Sequence, residues 1–186
     1  MTDSLTERGR ALEEKFFAER ERKVVQQMKE QQAQQQAVAD LGLLTGVDDE
    51  GMLKRLVGLG VRPESYVAFE LAPLLHVAWG DGVLDAKERN AILLEALEMG
   101  VAKDSAAYQM LENWLTRSPN YDIIEAWRAF HAELAASLSE EERNNMCKRI
   151  LERAERVARA SGGFLGFGAV SKHEMQALQE LESWLS

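Results

Sequence analysis

Apolar side chains recur along most of this chain at three- and four-residue spacings, the period of a helix with one buried face. Ile123, Trp127, Phe130, Leu134 and Leu138 give the cleanest such stripe. From Tyr66 to Trp79 the apolar residues leave almost no polar side, which predicts a central, buried helix. Pro73 lies inside that run and should kink or split it. Further helices are expected over Asp48 to Leu59, from Pro63 onward, over Ala86 to Met99 and from about Asp104 to Thr116. Gly60, Gly100 and the pair Ser118-Pro119 supply the stops. Ser139 with Glu142, and Ser171 with Glu174, have the spacing of a capping box and open the last two long helices. Few β-branched runs compete with this pattern. The expectation is an all-α protein, a compact bundle of about seven helices in two related halves spanning 46–186.

Residues 1–45 follow a different rule. From Leu5 to Asp40 there is no proline and no glycine after Gly9, and a Gln/Ala-rich tract runs from Gln26 to Ala39. Such a stretch favours one long helix, supported by Glu19 and Lys23 four residues apart. Leu12, Phe16, Phe17, Val24, Val25 and Met28 form an apolar stripe that fades into glutamines, so no sustained heptad develops. A projecting or loosely docked helical arm is predicted, ending near Gly42–Gly46, that engages a protein partner or self-associates.

Composition narrows the function classes. Apolar residues make up 46% of the 186, enough for a folded core. A net charge of −9, from 22 basic and 31 acidic residues, argues against binding nucleic acid through its phosphates. No apolar run has the length of a membrane span, and the charged N-terminus does not read as a signal peptide. A cytoplasmic protein is expected, any membrane contact being peripheral. Cys147 is the single cysteine, which excludes an intramolecular disulfide or a Cys-rich zinc site.

The densest candidate chemistry is the stretch Trp79-Gly80-Asp81-Gly82-Val83-Leu84-Asp85-Ala86-Lys87-Glu88. Asp81, Asp85 and Glu88 concentrate three carboxylates at one helix–helix corner, and hard cations such as Ca²⁺ or Mg²⁺ take oxygen ligands. The spacing is not that of an EF-hand, since Gly82 follows the first Asp directly. Asp85 and Glu88 also have capping-box spacing, which accounts for two of the three acids without a metal. A duplication accompanies the corner: Val83-Leu84-Asp85-Ala86-Lys87-Glu88 parallels Ala169-Val170-Ser171-Lys172-His173-Glu174.

Ala78, Asp81, Gly82, Leu84, Asp85 and Glu88, placed after an apolar helix and followed by a second copy, resemble the tellurite-resistance TerB-like family. The resemblance covers about residues 48–186. It implies an all-helical domain of two related halves, a role in the stress response to tellurite and other toxic oxyanions, and divalent-cation binding. Ser171 stands in the second copy where a carboxylate would be, so a two-sided metal site is not implied. A second, shorter resemblance links Glu7 to Phe17 with the N-terminus of small bacterial F1-ATPase inhibitor proteins.

Other chemistry is sparse. The loop Phe164-Leu165-Gly166-Phe167-Gly168 lacks a P-loop lysine and follows a helix, so its aromatic residues are expected to meet the core or a partner. His76, His131 and His173 lie far apart, without metal-ligand spacing. His76, in the buried helix, is expected to be a hydrogen-bonded core residue, and His173 to sit on a solvated first turn. No nucleophile–base–acid arrangement stands out, and a non-enzymatic protein is expected, one that binds a divalent cation or a protein partner through the acidic corner or, alternatively, a regulatory interaction module that acts through the arm with no metal.

Overall fold

The structure is a computed structural model that describes residues 3–160 and 170–185, with side chains described from Lys15 onward. Every regular element among the described residues is helical: α1 (Asp3–Thr45), α2 (Glu50–Gly58), a 3₁₀ turn (Pro63–Ser65), α3 (Tyr66–Glu70), α4 (Ala72–Ala78), α5 (Ala86–Glu98), α6 (Ala106–Thr116), α7 (Tyr121–Ser137), α8 (Glu140–Ala160) and α9 (Lys172–Leu185). The all-α bundle with a long N-terminal helix is as the periodicity implies. The Phe164–Gly168 loop lies outside the described residues.

Local chemistry sets most of the ends. Side chains of Asp49, Ser105 and Asn120 accept backbone N–H bonds at the starts of α2, α6 and α7. Ser139 and Glu142 close a reciprocal box at the start of α8, at 2.9 and 3.3 Å. The apolar run from Tyr66 to Trp79 breaks at Leu71, and Pro73 occupies the first turn of α4, where its missing N–H costs nothing. The run therefore splits.

Two apolar clusters meet along α4 and α8. The first holds Ala37, Val38 and Leu41 of α1 with Leu56, Phe69, Trp127, Phe130 and Leu181. The second gathers Leu71, Leu74, Leu75, Ile92, Leu111 and Val157. Six of the seven residues of α4, Ala72, Pro73, Leu74, Leu75, Val77 and Ala78, are buried, which is why that segment carries no polar side chain but the half-buried His76. Ala154 and Ala158 of α8 join the first cluster and Val157 the second, small side chains letting the two central helices pack closely. α5 is tied to α8 through Glu95, which is 5% exposed and takes both Arg156 bonds at 2.6 and 2.9 Å.

Candidate functional site

The acidic corner joins α4 to α5. Gly82 turns it with a φ of +85°, a region that glycine enters without a Cβ penalty. Gly80 has a different duty. A Cβ there would come within 2.9 Å of the Val77 carbonyl oxygen and 3.2 Å of the His173 backbone, so the corner and the start of α9 press against one another. His173 itself is exposed on that first turn.

Each predicted ligand makes a local bond. Asp81 Oδ1 accepts from the Val83 N–H at 3.0 Å, an Asx turn. Asp85 Oδ1 accepts from Lys87 and Glu88 N–H at 2.7 and 2.8 Å, and Glu88 Oε2 takes the Asp85 N–H at 2.9 Å. That is a complete capping box. Among the described residues, no group of three His, Cys, Asp or Glu side chains is arranged to hold a metal ion.

The duplicated segment builds the same device at α9. Glu174 Oε2 accepts from Ser171 N–H at 2.6 Å, and Ser171 Oγ accepts from Glu174 N–H at 3.1 Å. Glu88 and Glu174, each 3% exposed, meet across the two boxes and share a hydrogen bond. Burial pushes the Glu88 carboxyl up, and the Glu174 hydrogen bond adds to the push. The Asp85 N–H offsets part of it, the charges of Glu174 and Asp85 raise it again, and the group titrates at about 8. At neutral pH the two glutamates therefore hold a proton between them. The meeting of these two side chains is not visible in either motif alone. The repeat of the motif was its only sequence signal.

A second polar cluster carried no motif. His131, 3% exposed on α7, stacks on Trp127 with ring centroids 3.9 Å apart. Its Nδ1 faces the Trp127 carbonyl oxygen and its Nε2 faces Glu70 Oε2, both at 3.1 Å. Burial works against ionisation of Glu70, but the bond to His131, its charge, Tyr66 and Arg153 together hold that carboxyl below its ordinary range. The pair lines an open cleft of about 560 Å³ with Glu142, Asn145, Arg149 and Arg153. His76 departs from its expected core role. It is half-buried, beside Trp184 and 3.4 Å from Glu180, while the buried histidine is His131.

The arm is the third feature. α1 is one unbroken helix, and Ala37, Val38 and Leu41 bury its C-terminal end in the body. Every residue from Lys15 to Gln36 is exposed. Phe16 and Phe17 are 60% and 62% exposed, and Val24, Val25 and Met28 lie between 45% and 57%.

No family model, curated protein or solved structure matches this chain. Among the described residues, no helix is long and apolar enough to cross a membrane.

Proposed function

We propose that this chain is a non-enzymatic helical interaction module: the arm is the contact element and the bundle is its mount. The observation that carries this reading is the run from Lys15 to Gln36, which exposes two phenylalanines, two valines and a methionine on a helix fixed at one end. Contiguous apolar exposure of this kind marks a surface that another molecule covers. Helix propensity alone holds such a segment only marginally, whereas a rooted helix is pre-ordered for binding at lower entropic cost. The TerB-like resemblance of the body belongs to the same reading. It is supported by the way the two related corners, Asp85–Glu88 and Ser171–Glu174, come together.

The test is a photo-crosslinking amino acid placed at Met28 of the full chain, in cells that carry the chain naturally, with Glu133 on the exposed side of α7 as the control position. Discrete adducts at Met28 and none at Glu133 are expected, with mass spectrometry identifying the captured polypeptide. A Met28 position that captures nothing would overturn the reading.

A further inference from the structure

Phe17, Glu21, Val24, Met28, Gln31, Gln35 and Val38 follow one another at alternating four- and three-residue steps and so share one line along α1. The upper part of that line is largely apolar and exposed. The lower part is two glutamines and then Val38, already buried against α2. Beside Gln31, Gln35 and Val38 runs a groove of about 530 Å³, bounded on its far side by Glu50, Lys54 and Val57 of α2. The arm thus carries an apolar end that lacks a seat and, lower down, a seat that lacks an occupant.

We propose that a second copy of this chain covers the arm, the two helices running antiparallel so that Phe17 of each copy seats on the Gln31–Val38 groove of the other. This occupant presupposes the binding role given to the arm above. Pairing the two lines head to tail sets Val24 against the other copy's Met28 on both sides of a two-fold axis. Glu21 then faces Gln31, whose amide can donate to it, and Phe17 faces Gln35. On the flanks Arg20 faces Gln34, Ala18 faces Gln32, and Val25 and Gln27 each face their own equivalents. No like charges meet.

The parallel alternative sets Glu21 against Glu21 in the seam and brings two bodies of the same acidic chain, net −9 each, to one end. Charge therefore selects the antiparallel pair. From Phe17 to Gln35 the overlap runs about 27 Å at 1.5 Å per residue. The seam and flank positions between Phe17 and Gln35, with Glu50, Lys54 and Val57 across the groove, give about fifteen residues a side, the scale of a small interface.

The test uses the full chain carrying Cys147→Ser. Sedimentation equilibrium at tens of micromolar should give twice the 20.9 kDa chain mass. The Val24→Glu/Met28→Glu double variant should return a single chain mass with the thermal melt of the body unchanged. For orientation, Glu21→Cys and Gln31→Cys chains mixed under mild oxidation should form a mixed disulfide, and neither should link to itself. Self-linking by each would overturn the antiparallel arrangement. A single chain mass at hundreds of micromolar would overturn the second copy as occupant. If Met28 then still crosslinks a different protein, the arm keeps its binding role, and if it crosslinks nothing, both ideas fall.

Discussion

A carboxylate that caps a helix aims its lone pairs at backbone N–H groups, and Asp81, Asp85 and Glu88 each do so at their own turn. A cation at this corner would compete with bonds that already hold the start of α5. Millimolar Ca²⁺ or Mg²⁺ should therefore leave the melting temperature unchanged. A rise that disappears in Asp81→Ala would instead make the corner a cation site. Glu88 supplies a sharper residue-scale test. Its carboxyl titrates at about 8 in the fold against an ordinary 4.5, so between those values the folded chain binds more protons than the unfolded one. Stability contributed by the shared proton is complete below about pH 4.5 and is lost as the pH rises through 8. Glu88→Gln keeps an acceptor for the Asp85 N–H and cannot ionise. Its melting temperature should lack that decline and exceed the parent's at pH 9 by on the order of 5 °C.

Among the elements, α5 is joined to α8 by apolar packing of Ile92 and Val157 and by one buried carboxylate, Glu95. Arg156 holds Glu95 with two short bonds, while Arg153 approaches it at 3.5 Å. Arg156→Ala leaves Glu95 buried beside this weaker partner and should cost about 2 kcal/mol in denaturant unfolding. Arg156→Lys keeps the charge but not the fork, and should recover only part of that loss. Such cross-helix partners explain what was legible from the chain and what was not. Caps and stops are local, so Ser139, Asp85, Ser171, Gly60 and Gly100 could be read directly. Pro73 signalled a kink or split, and the break came at Leu71 because the proline settled into a first turn. The burial of His131 rather than His76 was not legible. It rests on Glu70, 61 residues away, and on which face of α7 meets α3. The pairing of Glu88 with Glu174 had only the repeated motif to announce it.

At the scale of the whole molecule, charge and apolar exposure are divided between two parts. Residues 1–45 carry seven basic against eight acidic side chains on a chain whose total is −9, so the arm is nearly neutral and almost all of the net charge sits on the body. This segregation favours arrangements that hold the bodies apart, as an antiparallel pair of arms does. Within the body, the joined capping boxes have a consequence for how the fold opens. Fraying the first turn of α9 strands Glu88 as a buried carboxyl without its partner, and fraying α5 does the same to Glu174. Two helix starts far apart in sequence are thereby coupled into one unit of local unfolding, and amide hydrogen exchange should find them released together.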